Sequence, residues 1–442
     1  MPKPLIGALA LGVFAGALDL SVLSPALPAI GRQFDASVGD LSWIFTLYLL
    51  VTVVSIAVMS ALADRYGRRP IYIGCIAIFA IGSATAILAQ EYGVLLLGRA
   101  VQAFGAGGIF PVATAAVSDR VRPERRGAAL GLIAATWGLA AVLGPVYGGL
   151  VTHYVSWRWI FVPNFPLAGL VIVLALRYMG KTPPLHRREH LDIPGLALLA
   201  LGLLGLTYGI TGLHAVTIVV GLAFLAAFWI WERTTLNPII PAPFFASRQL
   251  GKTFALEIAI GMLEGSLFFI PAVLVGAQHL SYAAAGAVAA AGALMFVIVI
   301  PISGRALDRA GSRDVLLAGA LLTELGLALF AIGFTSLSFS VFAILVAGIG
   351  FGALLGAPTR YIVSNETPPH WRATAIGLLS QCLIVGQILG AAIAGGIMGN
   401  ALSDLAAYRD AYLAFGGIAF AALILSATLR PRGRELVAAG AQ

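Results

Sequence analysis

A chain of 442 residues of which 60% are hydrophobic and only 10% charged cannot fold as an ordinary soluble domain, where about a quarter of the residues carry charge. Its apolar stretches run on without alternating. That excludes membrane-barrel strands and leaves helices, which satisfy their own backbone hydrogen bonds in lipid. A net charge of +8 could suggest nucleic acid as a partner in a soluble protein, but the placement of the basic residues points to a bilayer instead.

Fourteen apolar segments follow one another: 4–30, 39–62, 70–89, 94–117, 127–151, 158–177, 193–213, 214–231, 250–276, 281–306, 313–333, 336–358, 372–399 and 408–428. Each is close to the roughly 20 residues that one crossing needs. The first is too long for the apolar core of a cleavable signal and carries Asp19, Pro25 and Pro28, so it is expected to stay as a span. Only His214 and its neighbours separate the seventh from the eighth. Cys75 and Cys382 both fall inside spans, which implies neither a disulfide framework nor a metal cluster. Between the sixth and seventh segments, His186-Arg-Arg-Glu189-His190 spells a zinc-protease pattern. It sits in a short basic linker after Pro183-Pro184, with no room for a catalytic domain or a third ligand, so no metal or cofactor is expected.

With the N-terminus placed inside, 23 of the 27 Lys and Arg residues fall in loops and tails on one side. Arg32, Arg158 and Arg409 fall on the other side, and Arg99 lies within the fourth segment. This asymmetry predicts that both termini are cytoplasmic, and an error of one helix in the count would have scrambled it.

The chain also repeats itself at long range. Arg126-Gly-Ala-Ala-Leu-Gly131, followed by Gly144 and Gly148-Gly149, is echoed by Arg372-Ala-Thr-Ala-Ile-Gly377, followed by Gly390 and Gly395-Gly396. Asp64-Arg-Tyr-Gly67-Arg-Arg69 is echoed by Asp308-Arg-Ala-Gly311-Ser-Arg313, and the offsets are 246 and 244 residues. A duplication of six-helix units accounts for both. It divides the chain into 1–177, a central 178–249 with two extra spans and basic linkers, and 250–442 with a second six-helix half and a short tail.

These residues resemble a known family. Ser60-Ala-Leu-Ala-Asp64-Arg65-Tyr-Gly67-Arg68-Arg69 is similar to the cytoplasmic loop motif of the major facilitator superfamily, and Arg99-Ala-Val-Gln102-Ala-Phe-Gly105 to its fourth-helix motif. Gly138, Gly144-Pro145 and Gly148-Gly149 resemble the fifth-helix motif associated with antiporters. Leu18-Asp19-Leu-Ser-Val with Ala26-Leu27-Pro28, and Trp157-Arg158-Trp159-Ile-Phe161 with Asn164 and Pro166, resemble patterns of the fourteen-span drug:proton antiporter branch. Ser60 and Ala103 replace glycines of these motifs, and Ser24-Pro25 stands where the branch usually has an Asn-Val-type pair. The resemblance implies an all-α polytopic membrane fold of two six-helix halves plus two extra spans. It also implies a proton-coupled secondary transporter that exports small lipophilic, cationic or neutral compounds.

Each motif has a physical reading. Asp64 and Arg68 are four apart and can pair at a helix end, while Arg65 and Arg69 face headgroups or neighbouring helices. Asp119 is a candidate second acid for this cluster, which would form a cytoplasmic latch that releases as the halves rock. Positive-inside anchoring alone would require neither the acid nor the fixed glycine. The glycines of the fifth helix allow close backbone approach, and Pro145 removes a helical donor there. Gly348, Gly352 and Gly356 read as ordinary small-residue packing.

A charge at mid-bilayer costs about 3 kcal/mol on insertion scales, so ionisable residues inside spans mark function. Asp19, Arg99, Glu257, Glu264 and Glu324 are the candidates. If the superfamily layout holds, spans 1, 4 and 9 line a central cavity and span 11 is peripheral. Asp19 then becomes a proton or cation site tuned by Arg99. Glu257 and Glu264, seven apart, share one face of span 9, although Glu257 lies near enough to the cytoplasmic boundary to be merely hydrated. Trp43, Tyr48, Trp137, Tyr147 and Phe268 are candidate lining aromatics.

The expected function is export of small hydrophobic compounds against protons by a monomer in the cell (inner) membrane, with protons, substrate and lipid as partners. Export of a lipid or a specific metabolite, or inward proton symport, would use the same machinery. An enzyme or receptor would need a catalytic cluster or a large soluble domain, and neither is apparent. With no phosphate-binding loop, this chain is not expected to hydrolyse ATP. The charge asymmetry yields a test of topology. Reporters at both termini and within residues 181–192 are expected on the cytoplasmic side, and a periplasmic signal from the C-terminus would mean an odd number of spans.

Overall fold

Every stretch that hydropathy marks as a span is helical. The computed structural model describes residues 3–120, 123–180, 192–235, 244, 247–368, 371–399 and 404–432, less the side chains at 3, 118–120, 123–131, 134 and 373. Among the described residues, fourteen helices are long and apolar enough to cross a membrane. Spans 1 to 6 are Pro4–Phe34, Val38–Tyr66, Arg68–Leu88, Tyr92–Val117, Ala135–Tyr154 and Trp157–Tyr178. Spans 7 and 8 are Ile193–Gly212 and Ala215–Glu232. Spans 9 to 14 are Arg248–Gln278, Tyr282–Ala310, Ser312–Gly333, Leu337–Glu366, Thr374–Met398 and Leu405–Ala427. Leu213, with φ 54°, makes the turn between spans 7 and 8.

Among the described residues, span 6 opens on a 3-10 turn over Trp157–Phe161, and three further spans are broken within their length, each where proline removes a backbone donor. Span 1 runs as a helix over Lys3–Val22, a 3-10 turn over Ser24–Ala26 and a helix over Leu27–Phe34. Span 9 divides into Arg248–Leu267 and Ile270–Gln278, and span 12 into Leu337–Leu354 and Pro358–Glu366. In each case the last piece carries proline in its first turn, where the missing N–H has no intrahelical partner to lose.

Local conformations recur with the spacing of the sequence repeat. Asp35 (φ 50°) and His279 (φ 54°) end the last pieces of spans 1 and 9, 244 residues apart. Ser37 and Ser281 then cap the next helices, accepting from the backbone N–H of Asp40 and Ala284. Gly67 (φ 93°) and Gly311 (φ 87°) break the chain between spans 2 and 3 and between spans 10 and 11. A side chain at such a φ would be strained, which explains the glycine in both copies of the loop motif.

Within the first group, span 4 packs on spans 2 and 3, and span 1 on spans 5 and 6. Within spans 9 to 14, span 9 packs on 13 and 14, and spans 10 and 11 both pack on 12. The glycine stripe of span 12 lies against span 10, with Gly348 facing Met295, Gly352 facing Val299 and Gly356 facing Ser303. The two groups meet where span 2 packs on span 13 and span 5 on span 10. Gly67, Gly311 and the described chain termini lie at one end of the bundle, called here the basic end.

Candidate functional site

The deepest polar cluster joins five of the first six spans. Arg99 of span 4 has no exposed surface and Asp19 of span 1 is 2% exposed, and the two are ion-paired. Arg99 Nη1 donates to Asp19 Oδ2 and, at 2.7 Å, to Gln102 Oε1 one helical turn on. The Gln102 amide donates to Asp19 Oδ1 at 3.0 Å and to Ser83 Oγ of span 3 at 2.8 Å. Asn164 of span 6 reaches the same two acceptors at 3.3 and 3.0 Å. Tyr48 of span 2 presents its ring face to the guanidinium, 4.1 Å from Cζ, in a cation–π contact. Asp19 is therefore enclosed by donors, while Arg99 Nε and Nη2 have no hydrogen-bond partner among the described residues. Gln102 and Asn164 stand in the motifs already noted, but their partnership with Ser83 links positions up to 81 residues apart. Isolated polar residues in apolar spans were the one sequence signal for it.

The acids of span 9 are held differently. Glu264 is half-buried, and its Oε2 accepts from the Gln387 amide of span 13 at 2.9 Å. Glu257 is only 3% exposed, which overturns the reading of it as a hydrated boundary residue. Thr359 of span 12 supplies it a side-chain hydrogen bond, and Arg360, Glu264 and Cys382 interact with it electrostatically. Arg360 is itself exposed and points at the carbonyls of Leu355 and Gly356, freed by the break in span 12. Glu257 Oε2 has no hydrogen-bond partner among the described residues. Close packing fixes this face: a Cβ on Gly261 would lie 2.9 Å from Gly386 Cα, and one on Gly265 would lie 3.1 Å from Gly390 Cα. Glu324 of span 11 is half-buried.

At the basic end, Asp64 and Arg68 form an ion pair. They do so across the Gly67 break rather than along one helix, because span 2 ends at Tyr66 and span 3 begins at Arg68. Arg69 donates to the Leu176 carbonyl at 2.8 Å, tying span 3 to the end of span 6, and Arg65 stacks over Tyr66. The side chain of Asp119 and the His186–His190 motif lie outside the described residues.

The glycines of span 5 face two ways. Gly144 lies on Ser21 and Gly148 on the Val22 carbonyl, both in span 1. Gly138 and Gly149 face span 10. Their added Cβ atoms would stand 3.2 Å from Val297 Cγ2 and 3.2 Å from Ala283 Cα, and the Pro145 carbonyl lies against Gly286. The motif thus sits on the junction between the two groups of spans.

The candidate aromatics are scattered. Phe268 stacks on Phe45 at 4.4 Å, and the Tyr147 hydroxyl donates to the Trp159 carbonyl at 3.2 Å. Trp43 faces Tyr208, and Trp137 is half-exposed against Phe110.

The enclosed pair makes a stability test. Asp19→Asn leaves a guanidinium buried without a counter-charge and is expected to cost about 3–5 kcal/mol of stability, as breaking one side of a buried pair generally does. The paired change Asp19→Asn/Arg99→Gln is expected to recover much of that loss. Thermal unfolding of the detergent-purified variants measures both, and equal losses in single and double variants would contradict a neutralised pair.

Comparison with known proteins agrees with this geometry. The family model described as Major Facilitator Superfamily matches residues 9–259 and 253–440. An uncharacterized MFS-type transporter of Bacillus subtilis, YfiU, is 31% identical over 406 residues, covering 88% of this chain and 78% of that protein. Multidrug resistance protein 3 of the same bacterium is 28% identical over 416 residues, covering 90% and 79%. The crystal structure of a D-xylose-proton symporter superposes with a TM-score of 0.72 at 13% identity, covering 98% of each chain, a likeness of fold. The broken spans, the paired loop glycines and the match along nearly the whole sequence converge on one conclusion: the chain is a multi-pass membrane transporter, not an enzyme, and belongs to the Major Facilitator Superfamily.

Proposed function

We propose that this transporter exports small lipophilic compounds, cationic or neutral, in exchange for protons. It does so by alternating access between two six-span halves, residues 1–177 and 250–442, with residues 178–249 supplying two extra spans and their linkers. Kinship with a protein named for multidrug resistance supports export of such compounds. The concentration of Lys and Arg at one end supports a cell (inner) membrane placement with both termini cytoplasmic. The protein works as a monomer.

The observation that carries proton coupling is Glu257. A buried carboxylate that lacks a full set of donors is costly when charged, so it takes up a proton or a cation during the cycle. Asp19 already has its Oδ2 met by Arg99 and its Oδ1 by two amides, so it serves with Arg99 as a neutral hub. Glu257 is the proton carrier, and Glu264, more accessible and held by Gln387, meets the substrate's positive end. The Asp64–Arg68 turn with Arg65, Arg69 and Asp119 acts as the latch at the basic end. Gly138, Gly144, Pro145, Gly148 and Gly149 seal the junction between the halves.

Proteoliposomes with an imposed pH gradient test the assignment, with ethidium and tetraphenylphosphonium as probes. The wild-type protein is expected to move either probe against a counterflow of protons. Glu257→Gln, which can neither bind nor release a proton, is expected to abolish the proton flux while still binding the probe. Undiminished proton movement by Glu257→Gln would place the coupling elsewhere.

A further inference from the structure

The extra spans 7 and 8 do not stand apart from the bundle. Span 8 packs on span 7, and span 7 packs on both span 13 and span 2, across the line where the two groups of spans meet. The contact lies at the end opposite the basic loops, where that junction is closed. There the Gly39 N–H donates to the Gly399 carbonyl at 3.3 Å, and a Cβ on Gly39 would stand 3.5 Å from the Gly395 carbonyl.

The two sides of this contact differ in kind. Against span 13, span 7 meets backbone with backbone. A Cβ on Gly396 would lie 2.6 Å from the Ile210 carbonyl and 3.4 Å from Thr211 Cα, and the Thr211 hydroxyl points to the Ala392 carbonyl at 3.5 Å. Against span 2, span 7 bears through the side chains of Thr211 and Tyr208. Thr211 Cγ2 lies 3.6 Å from the Cβ position of Gly39, and the Tyr208 ring meets Trp43 with centroids 6.1 Å apart. Close glycine packing of backbones holds helices firmly in lipid, whereas side-chain contacts separate without repacking either helix.

We propose that the 7–8 hairpin is a brace. It rides on span 13 and, through Thr211 and Tyr208 bearing on Gly39 and Trp43, holds span 2 against span 13 and favours the state closed at this end. Opening breaks the span 2 contacts and leaves the span 13 contact intact. The brace accounts for the use of two spans beyond the twelve of the repeat, and it rests on the alternating-access reading only in assuming that this end opens.

Distance distributions between nitroxides attached to encoded azidophenylalanine at Gln90 and Ser338 report the opening. Both positions are exposed at this end, one in each group of spans. The background is the full chain carrying Cys75→Ser and Cys382→Ser. Tyr208→Ala/Thr211→Ala is expected to raise the long-distance population at least about fivefold, the factor that about 1 kcal/mol of lost contact gives. A disulfide between Gly39→Cys and Thr211→Cys is expected to remove that population, and one between Gly396→Cys and Thr211→Cys to leave it unchanged. No change on truncation, or equal suppression by the two disulfides, overturns the brace. A second label pair at Tyr66 and Arg309, exposed at the basic end, is measured alongside. Two distances there with an invariant Gln90–Ser338 pair overturn the brace alone, whereas single distances at both ends overturn alternating access as well.

Discussion

Arg99 lies inside the bundle with no exposed surface, and its charge is met by Asp19, the ring of Tyr48 and the amide oxygen of Gln102. A bare guanidinium there would be expensive, and the packing of spans 1, 2, 3, 4 and 6 follows from the need to enclose and neutralise it. Asp19 needs two amides besides the cation, so Gln102 and Asn164 must converge on it. Ser83 accepts from both of those amides and returns its own proton to the Phe79 carbonyl. One ion pair thus sets the rotation of five helices about their axes. The closed junction stands on that fixed frame, since span 1 presents Ser21 and Val22 to the glycines of span 5, and span 5 presents Pro145 and Gly149 to span 10.

The two groups of spans share scaffolding and differ in chemistry. Helix breaks, left-handed caps at Asp35 and His279 and serine caps at Ser37 and Ser281 recur 244 residues apart. The charges buried within the spans do not recur. The first group buries a matched acid and base, while the second holds Glu257 with one oxygen unpartnered among the described residues and a nearby Arg360 turned to backbone carbonyls. At the level of the broken spans, the Ser24 hydroxyl of span 1 donates to the Phe268 carbonyl of span 9 at 2.5 Å. That gives structural sense to the unusual Ser24-Pro25 pair.

Much of the architecture was legible because lipid imposes simple rules. Fourteen apolar segments were expected and fourteen apolar helices are present among the described residues, with the boundary at His214 a real turn. Ionisable residues in apolar spans pointed to Asp19, Arg99, Glu257 and Glu264, and Asp19 and Arg99 do meet. What escaped was everything that depends on helix rotation and neighbour identity. Ser83, Thr359 and Gln387 carry no motif of their own and gain meaning only from partners on other spans. Glu257 looked shallow by its position along the chain, yet the packing of spans 9, 12 and 13 buries it. The Asp64–Arg68 pair expected at a helix end is present, although spacing alone did not tell that Gly67 at φ 93° sets its members on two successive helices. Nor could hydropathy tell that span 7 lies over the junction of spans 2 and 13, because lipid-facing and seam-facing helices are equally apolar.

The proposed mechanism turns on Glu257 as the acid that exchanges a proton, with Asp19 held in its pair with Arg99. Infrared difference spectra of the purified protein across a pH step report this directly, because a carboxyl group that titrates changes its C=O stretching band. The band is expected in the wild-type protein and in Glu264→Gln, and to vanish in Glu257→Gln. A band that survives in Glu257→Gln, but is lost when Asp19 and Arg99 are replaced together, would contradict the account.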